Sequence, residues 1–224
     1  MTGYRFTFAG QSFVARASGA LFWPAQDMMI VADLHLGKSE RMARRGGALL
    51  PPFETRETLA RLSSELHELR PARLALLGDV FDDDQAAAAL HDDDRASLDM
   101  LVSRCSTIFI SGNHDPGAGS DSHHEAGLSL RHIAGDGPDI SGHYHPKARI
   151  AGRGRPCFLI GQSHLILPAF GQYTGGLAHD SSVLRAIVPQ GIAVLTGNRA
   201  LAVPVGPAAP KRRIPASPPW GRRG

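Results

Sequence analysis

The N-terminal residues alternate between apolar and polar side chains. Residues 4–8 and 12–17 each show the period of two expected of a strand that buries one face. Gly10 and Gln11 lie between the two segments, and a glycine there favours a tight turn. The pattern predicts a β-hairpin.

Three continuous apolar runs follow, at residues 28–32, 74–77 and 107–110. Runs of this kind are typical of strands that are covered on both faces. Two helical patterns separate them. Because the order is strand, helix, strand, helix, strand, the sequence predicts a parallel sheet.

The helices between these strands have recognisable ends. The first is predicted to open at Pro51 and Pro52, since proline is tolerated in a first turn, and to close at Pro71. Leucines repeat between them at helical spacing. The second is predicted to begin at residues 92–94, where three aspartates complement the helix dipole.

Beyond residue 125 the pattern changes to short apolar runs separated by turn residues, which predicts a second, mostly antiparallel sheet. The fold class expected is α+β, with two sheets face to face and helices outside. Residues 1–205 are predicted to form one domain and 206–224 a basic tail with little fixed structure. The runs are residues 128–131, 140–141, 149–150, 158–160, 165–167, 183–188, 192–195 and 201–205.

Charge and cysteine content indicate possible binding partners and the cellular compartment. The net charge of +3 is unevenly spread, because residues 181–224 hold seven Lys/Arg and no acid. Such a basic end could contact a phosphate backbone or could simply be a solubilising tail. The two cysteines lie in or beside apolar runs, and no secretory signal is evident, so a reduced, cytoplasmic protein is expected.

Polar motifs stand at the ends of the predicted parallel strands. Ligands bind outside the carboxyl ends of such strands, so these side chains are expected to converge in one cleft. Together they supply carboxylates, an amide and imidazoles, the ligand set of a two-metal hydrolytic site. The motifs are Asp33-Leu34-His35, Gly78-Asp79, Gly112-Asn113-His114-Asp115 and, further along, Gly142-His143-Tyr144-His145.

A two-metal site clamps a phosphodiester and lowers the pKa of a bridging water so that it attacks as hydroxide. Asp79 is the natural bridge between the ions. Asp33, His35 and a late histidine would complete one metal, and Asn113 with two further histidines the other. Oxygen and nitrogen ligands without thiolate leave manganese, iron and zinc open.

The motif series, over residues 33–145, resembles that of the calcineurin-like metallophosphoesterase superfamily. The resemblance implies a four-layer α-β-β-α sandwich of two mixed sheets. It also implies one metal on Asp33, His35, Asp79 and His145, and a second on Asp79, Asn113, His132 and His143. His123 and His124, expected in a loop, compete with His132 for its place.

The same resemblance gives roles to two further residues. His114 would face the scissile phosphate as general acid, since imidazole titrates in the useful range. Asp82 matches the position that orients this histidine, with the alternative that it is one of several solvated acids in residues 82–84.

The flanking segments are similar to those of bacterial ligase-associated DNA damage response endonucleases. This implies manganese-dependent cleavage of single-stranded DNA, and a functional association with a DNA ligase, a helicase and an exonuclease-like repair protein. Some members carry histidine where this chain has Asp82. A phosphodiesterase or phosphatase for a small molecule, using the same site, is the alternative. The segments are residues 19–24, 32–38, 50–53, 167–171 and 173–177.

Basic and aromatic residues near the motifs offer contacts for a polynucleotide. Lys38, Arg41 and Arg45, just after the first motif, could bind phosphates or could form a solvated helix face. Phe170 and Tyr173 could stack on bases, although core packing is the commoner use of aromatic residues.

Overall fold

The computed structural model describes residues 3–47, 51, 53–117, 119–150 and 152–206, and in them two mixed β-sheets pack face to face. The first sheet begins with antiparallel pairings and ends with three parallel strands, as predicted. In spatial order its strands are β1 (Gly3–Phe8), β2 (Gln11–Arg16), β3 (Leu21–Trp23), β4 (Met28–Val31), β5 (Arg73–Leu77) and β6 (Ser106–Ile110).

The second sheet has the order β14-β13-β11-β12-β9-β8-β7, with β10 paired to β11. Its pairings are antiparallel except those that join β9 to β8 and to β12. The strands are β7 (Ser122–Glu125), β8 (Leu128–Arg131), β9 (Asp139–Ser141), β10 (Lys147–Ile150), β11 (Arg153–Ile160), β12 (His164–Ile166), β13 (Gly191–Leu195) and β14 (Leu201–Val205).

The described residues also form five α-helices. They are α1 (Lys38–Arg44), α2 (Glu54–Leu69), α3 (Asp84–Ala89), α4 (Asp92–Val102) and α5 (Ser182–Ile187), with a 3-10 turn at Pro24–Gln26. None of these helices, within the described ranges, is long and apolar enough to cross a membrane.

The period of two along β4 shows why four layers form. Met28 and Ile30 face the second sheet in a core shared by both sheets. Met29 and Val31 face the other way and pack with apolar side chains of α2 and α4. On the far side of the second sheet, α5 covers a smaller cluster. The predicted α-β-β-α sandwich is confirmed.

Local predictions differ from the structure at several places. Residues 183–188 were predicted as a strand, which is wrong, because they lie in and just after α5. Ser181 caps that helix by accepting from the N–H of Leu184, and a short apolar run does not separate helix from strand by periodicity. The loop expected around residues 123–124 is strand β7.

The two long helices were predicted nearly in place. Helix α2 begins at Glu54 rather than at the two prolines, of which Pro52 lies outside the described residues. It ends with Arg70 in the left-handed region, just before Pro71. The tail predicted at residues 206–224 also lies outside the described residues beyond Gly206.

Candidate metal centre

The motif residues meet because the loops after β4 and β5 remain paired beyond the sheet. The backbone N–H of Asp33 donates to the carbonyl of Gly78 at 3.2 Å, and that of His35 to the carbonyl of Asp79 at 2.9 Å. The parallel register therefore continues through the polar residues, and their side chains emerge at one edge of the fold.

Backbone strain concentrates at this edge. Ten described residues other than glycine have positive φ, and half of them belong to the predicted ligand set. Conformations of this kind cost about 1–3 kcal/mol each and persist where the surroundings fix them, often at functional sites. The five are Asp33, His35, Asp79, His143 and His145, with φ between 45° and 68°.

The first group of donor atoms surrounds His145. Its Nε2 atom lies 3.3 Å from Oδ1 of Asp33 and 3.4 Å from Nε2 of His35. Nε2 of His35 lies 3.8 Å from Oδ2 of Asp79. These four side chains are the set that the resemblance implies for one metal.

The second group surrounds His132, which directly follows β8. Its Nε2 atom lies 2.9 Å from Oδ1 of Asn113, 3.2 Å from Nδ1 of His143 and 3.4 Å from Oδ2 of Asp79. Oδ2 of Asp79 is therefore common to both groups, as expected of a bridging carboxylate.

The tautomer of His132 shows whether the second donor group can bind a cation. Nδ1 lies 2.9 Å from the carbonyl oxygen of Leu77, which can only accept, so Nδ1 carries the proton. In the neutral ring Nε2 is then a bare lone pair facing a carboxylate, an amide oxygen and another imidazole. Lone pairs converging in this way fit a divalent ion, and a hydrogen-bonded second nitrogen is usual for a metal-binding histidine.

The pKa values of Asp79 and His132 reflect the same arrangement of charges. Burial raises the pKa of Asp79, but its contact with His132 and the N–H of His114 outweigh burial and bring that pKa to about 2. Burial lowers the pKa of His132, but Asp79 and Asp33 raise it to about 9. In the metal-free protein a proton on His132 thus supplies the positive charge that the carboxylates require.

His114 lies beside these groups without joining either. Its Nδ1 atom is 2.6 Å from the backbone carbonyl of Asp82, so Nδ1–H donates there and Nε2 is left free. The ring stands edge-on to His35, with centroids 5.1 Å apart. A ring fixed in this way can hold a transferable proton at Nε2.

The side chain of Asp82 makes other contacts than those expected. The structure places its carboxylate against His35, with Oδ1 2.9 Å from Nδ1 of that ring, whereas His114 is held by the backbone carbonyl. The carboxylate also pairs with Lys38 at 3.1 Å and Arg41 at 2.7 Å. Burial raises the pKa of Asp82, but its hydrogen bond with His35 and its pairing with Arg41 and Lys38 hold that pKa well below its ordinary value.

The cations predicted to bind substrate therefore engage acids of the protein itself. Lys38 and Arg41 are mostly covered, with 17% and 19% of their side chains exposed. Arg45 lies 3.4 Å from Asp83 and is 58% exposed. The structure brings all three to the rim of the site as a charged network rather than as free cations.

Asp115 is a supporting residue that sequence reasoning did not single out for a role. It is buried, and its two oxygens accept from the backbone N–H groups of Asp79 at 3.0 Å, Val80 at 2.7 Å, Phe81 at 3.2 Å and Gly112 at 3.0 Å. One carboxylate thus joins the loops that carry Asp79 and Asn113. Its place directly after His114 is the signal that could have indicated this role.

Two motif glycines are required by close packing. A Cβ atom on Gly112 would collide with the backbone of Asp79, and one on Gly142 would collide with the carboxylate of Asp33. Both glycines let a ligand loop approach the neighbouring carboxylate without a side chain between them.

The remaining candidates are two histidines and two aromatic residues, and they differ in their surroundings. His123 lies against Glu125 and His124 against Ser129, so neither joins the donor groups. Phe170 is fully buried under the guanidinium of Arg61 and belongs to the core. Tyr173 is 43% exposed, which leaves its ring available at the surface.

This chain is similar to known proteins in structure. No family model matches the chain, and no curated protein matches it significantly. The structure is similar to the crystal structure of nuclease MPE from Pseudomonas putida, with a TM-score of 0.71 and 28% sequence identity. The match covers 90% of this chain and 100% of that one.

The match covers nearly the whole chain, so it takes in most of the four-layer fold and not just one sheet. The buried His/Asp groups are chemically able to hold metal ions. The four-layer fold is therefore consistent with a metallophosphoesterase sandwich, and the similarity to a nuclease is consistent with the ligase-associated DNA damage response endonuclease family.

Proposed function

We propose that this protein is a metal-dependent nuclease that cleaves single-stranded DNA internally during DNA repair. The observation that carries the proposal is the sharing of Asp79 Oδ2 between two donor groups, with His114 beside them. The ions would be manganese, because the resemblance to the ligase-associated endonucleases implies it.

Two divalent ions in these groups would neutralise a bound phosphodiester and lower the pKa of the attacking water. The chain's own residues would do the rest. The N–H of His114 fixes Oδ1 of Asp79, which aims Oδ2 at both groups. His114, anchored through Nδ1–H, would pass a proton from Nε2 to the leaving oxygen.

The polynucleotide substrate is supported by the nuclease MPE match and by the flanking segments. The partners that fit this role are a DNA ligase, a helicase and an exonuclease-like repair protein, and the setting is the cytoplasm. One observation favours the alternative, a phosphodiesterase for a small molecule. The rim cations Lys38 and Arg41 are paired with Asp82 instead of standing free for a phosphate backbone.

The test is cleavage of circular single-stranded DNA by the pure protein with manganese. Linearisation that disappears with EDTA and with His114→Ala would support an endonuclease that uses this site. The matched control is His67→Ala, because His67 is exposed in the last turn of α2 and has no described contact with the motif residues. Hydrolysis of bis(p-nitrophenyl) phosphate with no DNA cleavage would favour the small-molecule alternative.

A further inference from the structure

A cleft of about 420 Å³ opens beside the second donor group, and the proposed chemistry leaves it unused. Asn113 and His132 line it, and so do Arg131 and Ile133, which flank His132 in the chain. Its volume falls in the range of roughly 300–1,000 Å³ typical of sites for small ligands. A group bound there would lie directly against the phosphodiester held at the metal centre.

Arg131 is loosely held within the protein. Its Nε atom is buried but has no hydrogen-bond partner among the described residues, and the nearest acid oxygen, Oδ2 of Asp139, is 3.9 Å away. The carboxylate of Asp139 is already engaged, since Gly135 N–H donates to it at 2.7 Å and His164 Nδ1 lies 2.9 Å away. Because 24% of the Arg131 side chain is exposed, the terminal guanidinium nitrogens, and not the buried Nε, keep hydrogen-bonding capacity for a ligand.

The long distance to its nearest acid distinguishes Arg131 from the cations of α1. Arg41 lies 2.7 Å from Asp82, and Arg44 lies 3.0 Å from both Glu40 and Asp83. Among described basic residues at the site, Arg131 faces the cleft with the weakest ion pair. A planar guanidinium with free donors matches the geometry of a phosphate group.

The remainder of the lining suits a nucleoside. Ile133 is 46% exposed, so an apolar surface is open to a sugar or the face of a base. Asp121 also lines the cleft, and its charge disfavours a second phosphate there. The cleft therefore suits a ligand that has one phosphate next to one apolar face.

We propose that this cleft binds the nucleotide adjacent to the scissile phosphodiester, with Arg131 on its phosphate and Ile133 against its base or sugar. The inference rests on the proposed nuclease function. It assigns substrate selection, the preference for a polynucleotide over a small diester, to residues that hold no metal.

The experiment compares Arg131→Gln and Ile133→Ala with the parent protein and with Arg149→Gln, a control on an exposed position of β10. The measurements are kcat and KM for oligothymidylate and for bis(p-nitrophenyl) phosphate, with manganese. Because charge-assisted bonds to phosphate are strong, Arg131→Gln should lower the ratio of kcat/KM for DNA to that for the diester about tenfold, mainly through KM. Ile133→Ala should lower it less.

Salt dependence and a conservative variant complete the test. Arg131→Gln should reduce the slope of log affinity against log salt by about 0.7, the value for one contact with a single strand. Arg131→Lys should restore the slope but only part of the affinity, because it keeps the charge without the fork.

The outcomes separate the two proposals. Equal losses with both substrates, or no change in the ratio and slope, would overturn the role of Arg131 while DNA cleavage by the parent still supported the nuclease. A parent protein that hydrolyses the diester but neither binds nor cleaves DNA would overturn both.

Discussion

His114 and Asp79 are joined by a hydrogen bond in which the backbone N–H of His114 donates to Oδ1 of Asp79 at 2.9 Å. The bond occupies one carboxylate oxygen and leaves Oδ2 facing both donor groups. It also ties the loop that carries the proposed general acid to the shared ligand. Displacement of either loop would therefore disturb both proposed roles, metal binding and proton transfer, together.

Replacement of Asp79 by alanine should reduce the metal content of the protein from two ions to less than one. The reason is that both donor groups lose the same oxygen. Metal analysis after dialysis against manganese would measure the change, with exposed Asp136→Ala as the control. Two ions still bound to the Asp79→Ala protein would contradict the bridging assignment.

Asp115→Asn should destabilise the metal-free protein by about 3 kcal/mol, because two buried N–H groups would then face an amide NH₂ whichever way it turned. Urea unfolding of the parent and the variant would measure this difference. Activity should fall as well, since the two ligand loops lose their common anchor. A variant as stable as the parent would show that water replaces the carboxylate without loss.

The convergence of the site could be predicted from the sequence because the parallel strands fix it. Asp33 and Asp79 follow neighbouring buried strands, and Asn113 follows the next one, so their side chains had to meet at one edge. The place of His132 was less determined. It depends on the register between β8 and β9, which short runs specify poorly.

The contacts of Asp82 and the state of residues 183–188 could not be predicted in the same way. Three adjacent aspartates offer no pattern that tells which carboxylate turns inward, and only Asp82 is fully buried. The run 183–188 is apolar at positions that suit either a strand or one helical turn. In both cases tertiary packing determines the structure, and local periodicity does not predict that packing.

Manganese binding at pH 7.5 should release close to one proton from His132. The pKa of this ring is about 9 in the metal-free protein, so the ring is protonated there, whereas a metal ligand must be neutral. Titration calorimetry in two buffers with different ionisation enthalpies would count the protons. Equal heats in both buffers would mean that His132 is already neutral before metal binds.

The same pKa predicts how the metal-free protein responds to pH. The folded value of about 9 lies above the ordinary 6.5, so the proton on His132 stabilises the fold fully below about pH 6.5. This contribution is lost as the pH rises through about 9. Thermal unfolding in EDTA should show the decline for the parent and much less of it for His132→Gln.

Asp82→Asn should weaken manganese binding about 10- to 100-fold, as is usual when the partner that orients a ligating histidine is changed. The buried carboxylate lies 2.9 Å from Nδ1 of His35, so the variant loses the charge that favours a proton on Nδ1 and a free Nε2. The manganese concentration needed for half-maximal hydrolysis of bis(p-nitrophenyl) phosphate would measure the change. Excess manganese should restore the rate.

Asp83→Asn is the matched control for this prediction. Asp83 caps α3 through Ala86 N–H, and asparagine can do the same, but no described contact links it to His35. Asp82→Asn also frees Lys38 and Arg41 from their shared partner. If these cations then bind DNA, KM for oligothymidylate will fall even as the need for manganese rises. An unchanged KM for DNA at saturating manganese would instead show that the network serves only to hold His35.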